Sequence, residues 1–395
     1  MAERNLNFDE VIDRRNTKSL KYDFARRRKM PEDLLPLWVA DMDFRTSSYV
    51  QDALTEQIAH GIFGYSEVQE PYFEIVRDWI QKHYHWQVEE RWMIKTPGIV
   101  LALAMAVKAY TEPGDGVLIQ PPVYYPFSEV IEDNARRIIR NTLVLGEDHR
   151  YHIDFEDFEA KIQAEQIKLF FLCNPHNPVA RVWTKEELTR LGDICCKHGV
   201  IVVSDEIHAD FVFKGHHHPF AGLKKEYEKI SVTCTSPSKT FNLAGLQLSN
   251  IFIPDPTLRR AFKKQVDAAG YSQLNVAGLV ACEAAYAHGE EWYEAMKQYV
   301  GENIAFTKQY VEEKLPGVRM VEHEGTYLVW LDFRDTGLSA EELEHLIIYE
   351  AKLWLDSGKI FGECGQGFQR INVACPRSVL EEALERIRNA LDKRP

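Results

Sequence analysis

The stretch "VIVVSDE", residues 200 to 206, joins a continuous apolar run to two acidic residues. Three further runs, near-continuous in apolar or β-branched residues, also turn polar at their C-terminal ends: "GVLIQPP" (116 to 122), "KLFFLCNP" (168 to 175) and "KISVTCTSP" (229 to 237). Such runs are typical of parallel strands that are buried on both faces of a sheet. Between two of them, "TKEELTRLGDICCKHG" (184 to 199) has helical spacing, a capping box at Thr184 and Glu187, and Gly199 at its end. The pattern predicts βα units around a mostly parallel sheet.

The C-terminal third of the chain has a different pattern. "GTYLVWLDF" (325 to 333) alternates like an antiparallel strand, and "RSVLEEALERIRNALDKRP" (377 to 395) predicts a helix with a capping box at Ser378 and Glu381. We therefore predict an α/β fold with a large domain, residues 50–285, whose mostly parallel sheet is flanked by helices. Residues 1–49 together with 286–395 are predicted to form a smaller α+β domain.

Bulk composition narrows the classes of function. The chain has 395 residues and a net charge of −13, which disfavours nucleic acid and an anionic membrane as partners and favours a small molecule. Its N-terminus, "MAERNLNFDEVIDRR", is charged where a signal peptide needs an apolar core, so we predict a cytoplasmic protein. Seven cysteines without metal-type spacing are expected to be reduced, and the three histidines at 216–218 predict a solvated loop rather than a metal site.

Polar and aromatic side chains follow the predicted strands, at the edge where open α/β sheets bind ligands. They are Tyr124, Asn174, Asn177, Asp205, His208, Ser236 and Lys239. The apolar helix predicted from 99 to 110 begins in the same region, so the amides of Ile99 and Val100 would bind a phosphate together with Ser236. An acid, a lysine, an amide, an aromatic ring and hydroxyls are what pyridoxal phosphate requires.

Each of these residues has a functional interpretation and an ordinary structural one. Lys239 would form a Schiff base with the aldehyde, although an isolated lysine is more often a surface residue. Asp205 would keep the pyridine nitrogen protonated, or would simply cap a helix. Asn177, in "NPHNP", would donate to the phenolic oxygen, or would serve the turn. Tyr124 would stack on the ring, or be an ordinary half-buried tyrosine. Arg370, in "GFQRIN", would clamp a substrate carboxylate, or form a surface ion pair.

The motifs "NPHNP", "SDEIH" and "SPSKTF" occur in one order and spacing. With them the chain resembles, over essentially its whole length, the fold-type I pyridoxal phosphate enzymes of the class I/II aminotransferase family. The resemblance implies a homodimer with the cofactor between the domains near the subunit interface. It also implies the cofactor and substrate roles given above for Lys239, Asp205, Asn177, Tyr124 and Arg370. His208 and Ser238 belong to the same expected cofactor site.

Within that family, "LWVADMDF" (37 to 44), "GIFGYS" (61 to 66) and "RINVACPRS" (370 to 378) are similar to the MalY/PatB group of carbon–sulfur β-lyases. This resemblance implies that Tyr65 reaches across the dimer to the neighbouring cofactor's phosphate. It also implies that the backbone of Val39 and Ala40 lies near the substrate, as does Asn177. The chain departs from many aminotransferases at Gln247, where they carry an arginine, and at Ala180, where they carry a glycine.

The predicted function is that of a lyase cleaving L-cystathionine or related cysteine S-conjugates to thiol, pyruvate and ammonia. Lys239, Asp205 and Tyr124 are the predicted catalytic residues. An aminotransferase is the alternative, because the same residues serve a route in which the amine is transferred to a keto acid. A cofactor-binding regulator without turnover is the third interpretation. The absence of Lys239, Asp205 or Arg370 would have favoured it, but all three are present.

Overall fold

The computed structural model describes residues 2–393, so Met1, Arg394 and Pro395 of the quoted termini lie outside the described residues. The strands are β1 (Leu35–Pro36), β2 (Met93–Thr96), β3 (Gly116–Ile119), β4 (Arg137–Arg140), β5 (Val144–Leu145), β6 (Tyr151–His152), β7 (Leu169–Cys173), β8 (Ile201–Asp205), β9 (Ser231–Thr235), β10 (Ser249–Phe252), β11 (Arg319–Met320), β12 (Leu328–Asp332), β13 (Leu353–Trp354), β14 (Asp356–Ser357) and β15 (Phe368–Asn372). The helices are α1 (Ser48–His60), α2 (Glu70–Tyr84), α3 (Ile99–Tyr110), α4 (Pro126–Asp133), α5 (Phe155–Ala164), α6 (Lys185–His198), α7 (Pro237–Thr240), α8 (Pro256–Ala268), α9 (Val276–His288), α10 (Glu290–Lys314), α11 (Ala340–His345) and α12 (Arg377–Leu391).

A seven-stranded sheet forms the centre, in the order β2-β10-β9-β8-β7-β3-β4. Strands β4, β3, β7, β8 and β9 are parallel neighbours, whereas β10 runs antiparallel to both β9 and β2. Every residue of β7 and β9 is buried, because helices cover both faces of the sheet. The predicted mostly parallel sheet is confirmed, and its four predicted strands are β3, β7, β8 and β9.

The helices that position the site begin and end as their sequences predict. Helix α6 follows Thr184, whose hydroxyl and the Glu187 side chain form the reciprocal capping box. It ends at Gly199, which has a φ of 69°. Helix α3 begins after Gly98 and lies buried against the sheet, with no side chain capping its first amides. Its N-terminus therefore keeps donors that an anion could accept.

A second sheet, in the order β11-β12-β15-β14, is built from the C-terminal third. Strand β12 pairs antiparallel with β15, as the alternation in the sequence predicts, and this pairing sets Trp330 opposite Arg370. The capping box predicted at Ser378 is wrong: α12 begins at Arg377 after Pro376, so Ser378 already lies inside the first turn. The division into residues 50–285 and 1–49 with 286–395 stays a prediction.

Other sequence-based expectations concern the cysteines, the histidine run and membrane segments. The seven cysteines are free, and most of them are buried. Of the histidine run, His216 is exposed as predicted, but His217 is buried and lies 2.9 Å from Glu206, so the prediction of a solvated loop is wrong for that residue. Within residues 2–393, no group of three or more His, Cys, Asp or Glu side chains could hold a metal ion. In the same range, no helix is both long and apolar enough to cross a membrane.

Candidate active site

A cavity of about 280 Å³ lies at the carboxyl ends of β7, β8 and β9, beside the start of α3. Its lining residues come from both ends of the chain. Some of them lie hundreds of positions apart in the sequence. The predicted site residues that line it are Val39, Ala40, Ile99, Val100, Tyr124, Asn177, Asp205, His208, Ser236, Ser238, Lys239 and Arg370. Asn174 is buried elsewhere, where its amide donates to the His218 carbonyl. Tyr65 is 96% exposed and does not line the cavity within one chain.

Asp205 is the last residue of β8 and is 3% exposed. One of its carboxylate oxygens accepts the Ile207 amide at 3.2 Å, and no cationic side chain within residues 2–393 forms an ion pair with it. Burial raises the pKa of Asp205 from 3.8 to about 7, although the Ile207 amide and the more distant Lys239 oppose the rise. A buried carboxylate in this state favours a ligand that brings a positive charge.

Lys239 lies in the short helix α7, which follows β9. Its Nζ donates to the Ala40 carbonyl at 2.6 Å. Burial lowers the pKa of the amine from 10.5 to about 8; Arg370 lowers it further, while Asp41 and Asp205 oppose the change. The amine therefore becomes neutral, and so nucleophilic, far more readily than a surface lysine.

Arg370 projects from β15 into the cavity and is 3% exposed. Its guanidinium donates to the Asn177 amide oxygen and the Trp38 carbonyl, at 2.9 Å and 2.8 Å, and forms an ion pair with Asp356. Its Nε is buried without a partner in the described part of the chain. Because Asn177 uses its oxygen for Arg370, its amide NH₂ stays available for an oxygen atom of a ligand.

His208 and Tyr124 complete the walls around Asp205. His208 is buried, and burial together with Lys239 and Arg370 holds its pKa well below the usual value, so the ring is neutral. Its Nδ1 has no hydrogen-bond partner in the described chain. The backbone amide of Tyr124 donates to the Asn177 carbonyl at 3.1 Å, which ties the aromatic ring to the turn that carries Asn177. Burial raises the pKa of the Tyr124 phenol.

The hydroxyls of Ser236 and Ser238 lie beside the uncapped start of α3. The Ser236 hydroxyl donates to the Leu248 carbonyl at 2.6 Å and accepts the Ser238 amide at 3.1 Å, so both residues are held in place. Gln247 is exposed and does not line the cavity, so it does not replace the arginine that many aminotransferases have there. An anion in this corner would be bound by hydroxyls and helix amides.

Ala180, where many aminotransferases carry a glycine, has a φ of 57°, in the left-handed region that glycine adopts without strain. Its carbonyl accepts the amides of Glu324 and Gly325 at 2.9 Å and 3.0 Å, and these bonds hold the strained residue.

Several residues that shape the cavity were not predicted from the sequence. Trp38, Tyr125 and Asp356 line it, and the Tyr327 hydroxyl donates to the same Ala40 carbonyl as Lys239, at 2.8 Å. Alternation in "GTYLVWLDF" could have flagged Tyr327 as inward-facing. No local pattern marks Asp356, which meets Arg370 through the register of β14 and β15.

A buried ionic cluster holds the segment that carries Ala40. Asp41 and Asp43 both pair with Arg14, at 2.7 Å and 2.6 Å, and Asp43 also pairs with the fully buried Lys21 at 2.7 Å. Burial alone would raise the pKa of Asp41, but Arg14 and Lys21 hold it below the usual value. The cluster therefore keeps a negative charge near Lys239 and fixes the carbonyl that the lysine contacts.

The cavity fits pyridoxal phosphate. The unpaired Asp205 carboxylate suits a protonated ring nitrogen, the free NH₂ of Asn177 suits a phenolic oxygen, and the uncapped start of α3 suits a phosphate. The buried amine of Lys239 suits an aldehyde. Asp205 and Lys239 are therefore placed for opposite parts of one ligand rather than for an ion pair with each other.

Comparison with known proteins agrees with this geometry. The profile of the family described as "Aminotransferase class I and II" matches residues 34–387. The chain is 44% identical over 387 residues to cystathionine beta-lyase PatB of Bacillus subtilis, which covers 98% of this chain and 100% of that protein. It is 31% identical over 387 residues to protein MalY of Escherichia coli, covering 97% of this chain and 98% of MalY.

Solved structures give the same result. Cystalysin from Treponema denticola, which contains a pyridoxal 5'-phosphate cofactor, superimposes with a TM-score of 0.94 at 36% identity and 98% coverage of both chains. The pyridoxal phosphate-bound C-S lyase from Staphylococcus hominis gives a TM-score of 0.91 at 34% identity, again with 98% coverage of both. The matched length of sequence, together with the fold, shows that this chain belongs to the aminotransferase class I and II family.

Proposed function

We propose that this protein is a pyridoxal phosphate-dependent carbon–sulfur β-lyase. It cleaves L-cystathionine or related cysteine S-conjugates to thiol, pyruvate and ammonia. The observation that carries the proposal is one cavity that holds a buried amine of lowered pKa, an unpaired carboxylate and an inward-facing arginine. The similarity to cystathionine beta-lyase PatB and to C-S lyases supports it.

The residues that would hold the cofactor surround the cavity. Asp205 would face the ring nitrogen, Asn177 the phenolic oxygen, and Tyr124 the ring. Ser236 and Ser238, with the amides of Ile99 and Val100, would hold the phosphate, and Lys239 would hold the aldehyde. When bound, pyridoxal phosphate supplies an electron sink that makes the Cα proton of an amino acid acidic.

The chain's own residues bind the substrate and move its proton. Arg370, fixed by Asp356 and Asn177, binds the substrate's α-carboxylate through its donor fork. Lys239, neutral above a pKa of about 8, takes the Cα proton as general base. The same amine, now protonated, would return that proton to the departing sulfur as general acid. Burial of His208 and Tyr124 around these groups excludes water from the step.

An aminotransferase remains the second candidate, favoured by the family that the chain belongs to. The residues described above serve both routes, because both begin with removal of the Cα proton. The two functions differ in the fate of the amine, which a lyase releases as ammonia and an aminotransferase passes to a keto acid.

A homodimer is part of the proposal. Segment 58–65 exposes large apolar side chains in the single chain: Ile58, Ile62, Phe63 and Tyr65 are 61%, 68%, 65% and 96% exposed. Exposed apolar groups clustered in one short segment are typical of a surface that another chain covers. A second copy on this surface would bury Tyr65, which would then reach the partner's cofactor phosphate.

The function is tested by loading the protein with pyridoxal phosphate and adding L-cystathionine without a keto acid. We expect free thiol to appear, and we expect Lys239→Ala to abolish its release. The matched control is Lys214→Ala, which removes an exposed lysine paired with Glu322 and should leave turnover unchanged. Full activity in Lys239→Ala would contradict the proposal.

A further inference from the structure

A second cavity, of about 550 Å³, lies against the first. Trp38, Tyr125 and Asp356 line both cavities, so these side chains form their shared wall. The first cavity, at about 280 Å³, lies just below the range of small-molecule sites, about 300 to 1,000 Å³. A cofactor and one amino acid would fill it. The rest of a longer substrate would have to extend past the shared wall.

An arginine, Arg28, lines the second cavity. Arg28 lies 4.9 Å above the Trp38 ring, and Trp38 in turn stacks on Trp354 with ring centroids 4.4 Å apart. The stacking holds the guanidinium at the cavity, because a cation is attracted to the face of an indole. No carboxylate within residues 2–393 forms an ion pair with Arg28. The guanidinium therefore keeps its donor fork for a ligand.

Carboxylates also line the second cavity. Glu129, in the first turn of α4, and Glu132 both line the cavity, and neither forms an ion pair with a described residue. Burial raises the pKa of the Tyr125 phenol; Asp356 and, more weakly, Glu129 add to the rise, whereas Arg370 and Arg28 oppose it, so the charges of Glu129 and Arg28 both act on this side chain. An unpaired cation and an unpaired anion thus face the same space.

We propose that the second cavity is the subsite for the distal, zwitterionic end of a thioether amino acid, with Arg28 binding its carboxylate and Glu129 its ammonium group. This inference rests on the proposed function and specifies its substrate class: thioethers that carry a second amino acid head group. L-Cystathionine has such a group three carbons from its sulfur, whereas S-alkyl cysteines do not. Arg28 and Glu129 determine specificity and take no part in the chemistry.

Binding to the holoenzyme tests the subsite without turnover. Calorimetry would compare L,L-diaminosuberate, the analogue of cystathionine with a methylene in place of sulfur, with L-aminoheptanoate, which lacks the distal head group. We expect the wild type to prefer diaminosuberate and Arg28→Met to lower that preference about tenfold, the usual scale of one charge-assisted contact. Glu129→Gln should lower it by a smaller factor. The control is Arg26→Met, which changes an arginine of the same short helical turn, Arg26–Arg28, that does not line the cavity; this variant should not change the ratio.

Turnover gives the second readout. Arg28→Met should lower kcat/KM for L-cystathionine about tenfold and leave kcat/KM for S-propyl-L-cysteine unchanged. Equal binding of the two analogues by the wild type, or an equal loss for both thioethers in Arg28→Met, would overturn the subsite. Failure of the proposed function is distinguishable: a holoenzyme that prefers diaminosuberate as expected but releases no thiol supports the subsite and contradicts the lyase.

Discussion

Replacing Asp205 with asparagine should stabilise the cofactor-free protein, and the gain should grow with pH. Burial sets the pKa of Asp205 at about 7 in the folded chain, against 3.8 for an ordinary aspartate. Because the folded pKa is the higher one, the folded state loses stability as pH rises from about 4 to about 7. At 1.4 kcal/mol per pH unit, the loss reaches about 4 kcal/mol above pH 7.

Asparagine removes the charge but leaves a buried amide, which costs about 1 to 3 kcal/mol if it is unbonded. The net gain of Asp205→Asn at pH 8 is therefore about 1 to 3 kcal/mol. The pH dependence is the sharper observable: the gain should rise by about 3 kcal/mol between pH 5 and pH 8, whatever the amide costs.

Urea unfolding of the cofactor-free wild type and variant at the two pH values would measure this difference. Asp267→Asn is the matched control, because that aspartate is largely exposed and pairs with the exposed Lys263 one turn earlier in α8, so its replacement should change stability by less than about 0.5 kcal/mol. Adding pyridoxal phosphate should stabilise the wild type more than Asp205→Asn, since the ring cation then pairs with the carboxylate. A gain that is absent, or equal at both pH values, would refute the assignment of Asp205 as a buried, unpaired carboxylate.

Four further outcomes are expected. The rate at which cofactor-free protein reacts with pyridoxal phosphate, followed by absorbance, should rise with pH through about 8, because burial lowers the pKa of Lys239 to that value; a midpoint near 10 would contradict this. Asp43→Asn should cost about 3 kcal/mol in urea unfolding, because it leaves the fully buried Lys21 with Asp41 at 3.7 Å as its nearest carboxylate. Ala180→Gly should raise stability by about 0.5 to 1 kcal/mol, since φ is 57° there. Tyr327→Phe should lower kcat more than it raises KM, because its hydroxyl fixes the Ala40 carbonyl that Lys239 contacts.

The central sheet could be predicted from the sequence because strands buried on both faces give unbroken apolar runs. Asp205 and Lys239 could also be predicted to lie at one edge of the sheet, because the carboxyl ends of parallel strands lie on the same side. The capping box at Ser378 failed because capping patterns recur inside helices, and α12 begins two residues earlier than that box predicts, at Arg377 after Pro376. The first residue of a helix depends on single residues such as Pro376, so the capping pattern alone did not predict where α12 begins.

The parts of the site that the sequence did not predict depend on long-range contacts, and these contacts leave no local signal in the sequence. Asn372 holds segment 39–41 by donating to the Val39 and Asp41 carbonyls at 2.7 Å and 2.6 Å, across more than three hundred residues of chain. Asp356 reaches Arg370 only because β14 and β15 pair in one register. A shift of that register by one residue would turn Asp356 to the other face of the sheet. The sequence does not specify such a register by any nearby motif.

Counting product per active site tests the central claim most directly. Holoenzyme would be mixed with a large excess of L-cystathionine and no keto acid, and pyruvate and free thiol would be followed together. The proposed β-lyase predicts that both products accumulate in equal amounts far beyond one per site. Turnover that stops at about one amino acid per site and resumes on addition of a keto acid would contradict the lyase and identify an aminotransferase.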